Sequence, residues 1–383
     1  MDIYLDTLLH LPFATVENFQ EVDNFIYFKI GLINEEIECS HCQKKLTEIH
    51  QKEYVLIRDL SVFGRKVYLR VPRRQYYCKT CGKYSTERLE FVGWRHRYTS
   101  RYEENIHEKV RHSNIEQVSR EEELSREIVQ SIFNNVEKRK KREWGNPKKV
   151  GIDEFAERKG HKNFVTVVSN IDNGKPLEII EGREGDNLIE VLSEKELEAR
   201  EGVEEVSVDM WAGFVKVIEA IFPNAKIVYD RFHVMQQVNR ELNKLRKLMK
   251  VTKKGIKFLL LSNGEKLEKE EQEKLNKILV EHPCLKIAYE IKEELREIYE
   301  KRQTFKGGKR ELEKWLRTAS LLYQQSAQMI KNHLEGICNY FTNRTTNATA
   351  EGINTKIKLI MRQGYGFNNF DNLKLRLLAA FDD

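Results

Sequence analysis

The chain has 383 residues, of which 40% are hydrophobic and 33% charged, and its formal net charge is +6. This length allows two or three domains with hydrophobic cores, and apolar runs such as KFLLL and LRLLAAF are too short to span a bilayer. The first residues, MDIYLDTLLHLPF, carry acids where a signal peptide would carry lysines, so we expect a cytoplasmic protein.

Four of the six cysteines form two C-x-x-C pairs, Cys39 with Cys42 and Cys78 with Cys81. Two such turns can bind one zinc ion tetrahedrally through four thiolates, and disulfides are the weaker explanation in a cytoplasmic chain. The strand-like segments KEYVLIRDL and RKVYLRVPRRQYYC fill the interval, so antiparallel strands can bring the pairs together. We therefore predict a structural zinc ribbon within residues 1–100. Cys284 and Cys338 lack this spacing, and we expect both to be buried as small apolar residues.

A basic stretch follows the first cysteine pair. Between Arg65 and Arg101 there are 11 Lys and Arg residues against two Glu, and aromatic residues are interleaved with them. This combination suits a polyanion, with cations for phosphates and rings for stacking, although a solvated surface with some core aromatics would look similar. The candidate DNA contacts in this stretch are Arg65, Arg73, Arg74, Arg95 and Arg97.

Residues 101–147 have the outline of a helix-turn-helix and a basic linker. The pattern predicts a short helix, a break and a longer helix in the segment NIEQVSREEELSREIVQSIFNNVEKRKKRE. The second, longer helix would present polar side chains to a DNA groove. Five consecutive bases and the breakers Gly145 and Pro147 end this segment. The candidate DNA contacts here are Arg126, Gln130, Lys138, Arg139 and Lys140.

The hydrophobic period changes at Lys148. Three strand-like segments, KVGIDEF, NFVTVVSNI and PLEIIEG, precede a helical segment, and VEEVSVDMW, AGFVKVIEAIF and AKIVYD then read as strand, helix and strand. This order predicts an α/β layout with a mixed sheet.

Two aspartates belong to these predicted strands. Asp153 lies in the first strand and Asp209 ends the fourth, so the two carboxylates can converge if their strands are adjacent and parallel. Converging carboxylates repel unless a cation separates them, and hard Mg²⁺ prefers such oxygen ligands. A strand-end carboxylate in water is the alternative interpretation of Asp153.

The order of motifs resembles the DDE transposases of bacterial insertion sequences, specifically the ISL3 group. The resemblance rests on the zinc ribbon, the helix-turn-helix and the segments GIDEFAERKGH, VSVDMWAGF, FPNAKIVYDRFHV and TTNATAEGINTKIKLIMRQGYGF, and it covers about residues 39–370. It implies an RNase H-like catalytic core, two catalytic Mg²⁺ or Mn²⁺ ions and a third carboxylate on a helix far downstream.

Matching the family motifs assigns the three acids. Asp153 in GIDE corresponds to the first, Asp209 in SVDMW to the second and Glu351 in TNATAEGIN to the third. The residues between Asp209 and Glu351 are too many for a minimal core, and the helical pattern from 234 to 343 predicts an inserted helical domain. The core would then comprise residues 148–233 and 344–383, the latter carrying the final helix.

YDRFH supplies a competing acid, Asp230, and a histidine, His233. In the related transposases this motif has a supporting role, so we take Asp209 as the metal ligand and keep Asp230 as the alternative. His233 would order the active site or contact DNA, although a lone histidine at a helix start is more often structural.

The resemblance implies a DNA transposase that cleaves insertion-sequence ends and transfers the strand to target DNA. Its partners would be double-stranded terminal repeats and target DNA in the nucleoid, held by a homodimer or larger synaptic assembly. The alternatives are a non-catalytic DNA-binding regulator, which would not require three acids, and another RNase H-like nuclease such as a junction resolvase. A zinc hydrolase is disfavoured because four cysteines leave no open coordination position.

Overall fold

The computed structural model describes residues 3–156, 164–364, 367 and 369–382, and it leaves out the side chains of Ile3, Tyr4 and Glu351. The chain forms two compact units, Met1–Lys141 and Arg142–Asp383.

The first unit contains a five-stranded sheet, in the order β1-β2-β6-β5 with β7 paired to β6, and a two-stranded ribbon of β3 and β4. Alternating residues of β6, Val67, Leu69 and Val71, are fully buried, whereas Arg70 between them is exposed. The elements are α1 (Ile3–Leu9), β1 (Ala14–Val22), β2 (Phe25–Leu32), β3 (Ile37–Glu38), β4 (Lys45–Leu46), β5 (Ile49–Val62), β6 (Arg65–Cys78) and β7 (Lys83–Thr86).

Three helices complete this unit: α2 (Ser100–His112), α3 (Ile115–Glu122) and α4 (Arg126–Arg139). The turn between α3 and α4 begins at Glu123, which has a left-handed backbone, and Ser125 then caps α4 by accepting from the Ile128 N–H. Buried Arg58 of β5 binds Glu122 at 2.9 Å, and this ion pair ties the helices to the sheet. The predicted helix, break and longer helix are therefore present, preceded by one further helix.

The second unit is built on a five-stranded sheet in the order β10-β9-β8-β11-β12. Strands β8, β11 and β12 are parallel, and β9 and β10 are antiparallel to their neighbours, so the predicted mixed sheet is confirmed. The strands are β8 (Lys149–Ala156), β9 (Phe164–Asn170), β10 (Lys175–Glu181), β11 (Glu205–Val208) and β12 (Lys226–Tyr229).

The helices of this unit cover the two faces of the sheet. One core cluster joins Val150, Ile152 and Val168 to α5 and α7, and a second joins Phe155, Val165 and Ile179 to α15 and α16. The helices around the strands are α5 (Gly185–Ser193), α6 (Leu197–Glu201), α7 (Ala212–Ile221) and, after the segment described next, α15 (Ala348–Gln363) and α16 (Phe370–Ala379).

Between β12 and α15 the described chain is almost entirely helical. Its elements are α8 (Arg231–Leu248), α9 (Ile256–Leu261), a 3-10 turn (Gly264–Lys266), α10 (Lys269–Glu281), α11 (Pro283–Glu300), α12 (Phe305–Ala319), α13 (Gln324–Asn332) and α14 (Leu334–Asn343). Val234, Val238 and Leu242 are buried on one stripe of α8, as their spacing predicts. Cys338 is buried as expected, but the same expectation for Cys284 is wrong: Cys284 is exposed in the first turn of α11. Among the described residues, no helix has the length and apolar character needed to cross a membrane.

Candidate functional site

Asp153 lies on the face of the sheet that α15 covers. In β8 it is two residues from Phe155, which packs into the core cluster of α15, and successive side chains of a strand alternate between faces. Asn354 of α15 donates from Nδ2 to Asp153 Oδ2 at 2.7 Å, and the Glu154 N–H donates to the other carboxylate oxygen at 2.9 Å. The carboxylate of Asp153 is therefore held between its own strand and α15.

Burial raises the pKa of the Asp153 carboxyl above its ordinary value. The hydrogen bond from the Glu154 N–H and the nearby His233 oppose this rise, and the charge of Asp209 adds to it. Asp153 and Asp209 are therefore close enough to repel, and a cation between them would relieve both the repulsion and the burial penalty.

Asp209 follows the strand that pairs directly with β8. Strands β8 and β11 are parallel, and Ser207 lies opposite Gly151. Both strands therefore bring their aspartates to the same edge of the sheet. The Asp209 carboxylate accepts from the Met210 N–H at 2.6 Å, and its other oxygen lies 3.5 Å from Nδ1 of His233. The predicted adjacency of the two strands is confirmed, and it places both carboxylates and an imidazole together.

Asp230, the competing acid, caps a helix. It follows β12, which β11 separates from β8, and its side chain accepts from the Phe232 N–H at 3.1 Å at the start of α8. Adjacent strands are about 4.8 Å apart, so the strand of Asp230 is about twice as far from Asp153 as the strand of Asp209. This geometry favours Asp209 as the partner of Asp153.

Two Asp230 variants test that assignment. Asp230→Ala is expected to lower the free energy of unfolding by about 1 kcal/mol because the cap is lost, whereas Asp230→Asn should keep the cap. Both variants should retain DNA cleavage, measured beside denaturant unfolding. A fully folded Asp230→Asn protein that no longer cleaves would instead make Asp230 the metal ligand.

The start of α15 is fixed close to Asp153. Asn347 is buried and its Nδ2 lies 3.4 Å from the Ile152 carbonyl oxygen. A Cβ added at Gly151 would lie 2.2 Å from Asn347 Oδ1, so a larger residue at this position would force the Asn347 side chain to move. Position 351 belongs to α15, but the Glu351 side chain lies outside the described residues.

One group at this edge was not singled out from the sequence. Arg183 Nη1 donates to Glu154 at 3.1 Å, and its guanidinium stacks over Phe164 at 4.1 Å and Trp211 at 5.4 Å. Burial raises the pKa of Glu154, with Arg183 opposing the rise and the charges of both aspartates adding to it. No sequence pattern marks this group, because its members come from four separate segments of the chain.

The four predicted zinc ligands converge in the first unit. Their sulfur atoms all lie within 4.8 Å of one another, with 3.6 Å between Cys39 and Cys81 and 3.6 Å between Cys42 and Cys78. The backbone N–H of His41 lowers the pKa of the Cys39 thiol to about 5, whereas burial raises the pKa of Cys81 to about 12. Four thiols this close cannot all ionise unless a cation compensates their negative charges.

Three of the five predicted arginine contacts lie beside an exposed tryptophan. Arg73, Arg95 and Arg97 are exposed and line a cavity of about 470 Å³ at the edge of β5. Trp94 in this cavity is 48% exposed, and the guanidinium groups of Arg73 and Arg88 lie 5.8 and 5.5 Å from its ring. Cations around an exposed ring suit the phosphates and bases of a nucleic-acid strand.

The other two arginines are paired with carboxylates. Arg74 is buried and donates to both oxygens of Glu87, at 2.6 and 2.5 Å, and to the Asn34 carbonyl at 2.7 Å. This placement gives Arg74 a role in the fold and does not support the predicted DNA contact. Arg65 donates to Glu21 at 2.7 Å from a part-exposed position.

The helix-turn-helix residues are distributed over α4 and its end. Arg126 is exposed and paired with Glu116, and Gln130 donates to Asn134 at 2.8 Å on the same helix face. Lys138 is exposed, Arg139 binds Glu103 at 2.8 Å, and Lys140 binds Glu137 at 2.9 Å. Arg126, Gln130 and Lys138 therefore lie where α4 meets solvent.

A cysteine cluster, a helix-turn-helix and a sheet with two adjacent aspartates together define a class of DNA-rearranging enzymes, the transposases. The family model of the ISL3 transposases matches residues 150–377, that of a "zinc-finger of transposase IS204/IS1001/IS1096/IS1165" matches 35–81, and that of a "Helix-turn-helix domain of transposase family ISL3" matches 87–136. The chain belongs to the ISL3 family of transposases, and the suspected resemblance is confirmed.

Curated relatives agree with this membership. The chain is 28% identical over 368 residues to the transposase for insertion sequence element IS1001 of Bordetella parapertussis, covering 90% of this chain and 88% of the relative. It is 25% identical over 279 residues to the transposase for insertion sequence element IS1557 of Mycobacterium tuberculosis, covering 63% of this chain and 62% of the relative. Family membership makes the chain an enzyme that cleaves and transfers DNA.

Proposed function

We propose that this protein is a DDE transposase that binds the ends of its insertion sequence and catalyses two-metal-ion strand cleavage and strand transfer. The observation that carries the proposal is the meeting of Asp153 and Asp209 at one edge of parallel strands, beside His233. We further propose that the sheet of the second unit is an RNase H-like core, residues 148–233 and 344–383, interrupted by a helical insertion, residues 234–343.

The acids fit a hard divalent cation. Asp153 is a half-buried carboxylate with a raised pKa, and its described partners are neutral amides with no cationic side chain bound directly. Carboxylate oxygens are the ligands that Mg²⁺ or Mn²⁺ prefers, and a bound pair would supply Lewis-acid activation of both the attacking and leaving oxygens. Asp153 would hold both ions and Asp209 one of them.

Glu351 is proposed as the third acid from its position on α15. Asn354 on this helix reaches Asp153 at 2.7 Å, and residues three apart on a helix lie on the same face. Glu351 precedes Asn354 by three positions, which supports the proposal that it serves the same edge of the sheet. Ala350, Ile353 and Ile357 are buried, and they fix that rotation of the helix.

The protein groups would act in two displacements at phosphorus. In the first, water attacks the phosphodiester at the element's end, a new P–O bond forms, and the departing 3′-oxygen leaves as a hydroxyl. In the second, that 3′-hydroxyl attacks a target phosphodiester, and the target's own 3′-oxygen departs. Asp153, Asp209 and Glu351 would hold the divalent ions that keep the reacting groups in line, and no covalent bond to the protein forms. Because two ends must reach one target, we propose a homodimer or larger synaptic assembly.

One zinc ion fits the cysteine cluster. A tetrahedron with Zn–S bonds of about 2.3 Å has S–S edges of about 3.8 Å, close to the spacing of the cluster. The ion would lock the two C-x-x-C turns together and fix the end of β6, from which Arg73 projects.

Terminal-repeat DNA would contact the first unit through the arginines around Trp94 and the exposed face of α4. Replacing Arg95 and Arg97 together by alanine is expected to weaken binding to all sequences and to lower the salt slope of log K by about 2. Gel shifts across a salt series measure this slope. The double Lys variant keeps both charges and should keep the slope; an unchanged slope in the alanine variant would remove both residues from the interface.

The proposed function is tested by cleavage of labelled terminal repeats. Mg²⁺ should support nicking at the element's end with a free 3′-hydroxyl, and Ca²⁺ should support binding with little cleavage. Specific binding without cleavage under any divalent cation would instead indicate a DNA-binding regulator.

A further inference from the structure

A cavity of about 520 Å³ lies between α8, α9 and α11 in the second unit. It has the size of a small-molecule site, and its walls combine apolar side chains, amides and cations. None of the acids assigned above lines it. Its walls come from three separate helices and the turn after α9, so no local sequence pattern marks it.

Two buried polar atoms on cavity-lining side chains have no hydrogen-bond partner among the described residues. They are Oδ1 of Asn239 and the hydroxyl of Tyr299, whose side chain is 1% exposed. Leaving such groups unpaired costs stability, so each one requires an explanation. The amide oxygen can accept a hydrogen bond and the phenol hydroxyl can donate or accept one, so each could pair with a polar group of a ligand in the cavity.

The remaining walls suit a nucleotide. Phe232 is 49% exposed and, with Met235 and Leu261, offers apolar surface for the faces of a ring. Arg240 and Lys257 also line the cavity, and neither has a carboxylate partner among the described residues, so a phosphate could reach them. Nucleobases are recognised in protein pockets by this combination of stacking and edge hydrogen bonds.

The cavity adjoins the acids through the first turn of α8. Phe232 lines the cavity, and the next residue, His233, lies 3.5 Å from Asp209. The rings of Phe232 and His233 are 5.5 Å apart, edge to face. The first turn of α8 therefore links the cavity to Asp209 through two consecutive side chains.

We infer that this cavity receives one unstacked nucleotide of the DNA strand bound at Asp153 and Asp209. Its base would lie against Phe232 and pair with Asn239 and Tyr299, and its phosphate would face Arg240 and Lys257. This inference rests on the proposed function, because it requires DNA at the acids.

The test uses full-length protein with Ca²⁺ and duplexes carrying the terminal repeat, in which 2-aminopurine replaces one base at a time around the cut phosphate. Unstacking a base raises its fluorescence, so one position should brighten several-fold on binding. Tyr299→Phe removes only the unpaired hydroxyl and should reduce this signal several-fold, as should Asn239→Ala, while gel-shift affinity for the repeat stays nearly unchanged. Tyr76→Phe is the matched control, because its hydroxyl is also buried and unpartnered but lies in the first unit.

A second arm separates DNA from free nucleotides. Each of the four deoxynucleoside 5′-monophosphates is titrated into the protein without DNA, and its binding is measured by calorimetry. One outcome overturns the inference by making the cavity a free-nucleotide site. In it, the wild type binds a nucleotide, Tyr299→Phe does not, and no 2-aminopurine position brightens in bound DNA. Bound repeat DNA that brightens nowhere, without nucleotide binding, also overturns it. Both outcomes leave cleavage by Asp153 and Asp209 intact, whereas failure of cleavage with normal brightening contradicts the proposed function alone.

Discussion

Asp153→Asn is expected to lower Mg²⁺-dependent cleavage of terminal-repeat DNA by about three orders of magnitude while leaving end binding intact. The loss follows because metal coordination contributes several kcal/mol to the transition state, and an amide is a poor substitute for a carboxylate ligand. The variant should fold normally, since replacing a half-buried carboxylate of raised pKa by an amide removes an unfavourable charge. Rates of nicking, measured beside gel shifts on the same preparation, give both quantities.

Two companion variants make this result specific. Asp209→Asn should give the same loss, because Asp209 lies on the adjacent parallel strand. Asp186→Asn is the matched control, since Asp186 is exposed in the first turn of α5. Cleavage by Asp153→Asn at the wild-type rate would remove Asp153 from the chemistry.

Cys78→Ser is expected to remove zinc and to unfold the cysteine region of the first unit. Structural zinc contributes about 10 kcal/mol or more of binding free energy in small zinc domains, and the short strands β3 and β4 beside the cluster could not replace it. Metal analysis should find one zinc per chain in the wild type and in Asp153→Asn. In Cys78→Ser the zinc and the binding of terminal repeats should both be lost.

The matched control is Cys284→Ser, because Cys284 is exposed and lies outside the cluster. It should retain one zinc and normal DNA binding. Fresh, reduced wild-type protein without zinc would exclude the ion from the cluster, and stoichiometric zinc in Cys78→Ser would exclude Cys78 as a ligand.

The strands of the second unit could be predicted because each one is a short apolar segment bounded by local turn or helix signals. Each of the five predicted strands is present, and the conditional expectation that β8 and β11 are adjacent and parallel is confirmed. Glu351 could not be chosen on physical grounds, since a polar residue off the apolar side of a helix is ordinarily solvated. Only its family motif marks it, and it stays a prediction.

The wrong predictions concern residues whose environment depends on tertiary packing, which no local sequence pattern shows. Arg74 looked like its exposed neighbour Arg73, but it shares a face of β6 with buried Tyr76 and Cys78, and Glu87 compensates its charge there. Cys284 follows Pro283 at a helix start, and its exposure depends on how α11 packs rather than on local pattern. The Glu154–Arg183 pair and the cavity beside α8 depend on tertiary packing, and the sequence carries no periodic signal for either.

The most direct test of the central claim is a structure of the protein bound to terminal-repeat DNA in Mn²⁺, with the ions located by anomalous scattering. Two Mn²⁺ ions about 3.5–4 Å apart are expected, with Asp153 bound to both and Asp209 and Glu351 each bound to one. Ions held by Asp230 instead of Asp209, or a Glu351 carboxylate that contacts neither ion in the assembled complex, would contradict the account.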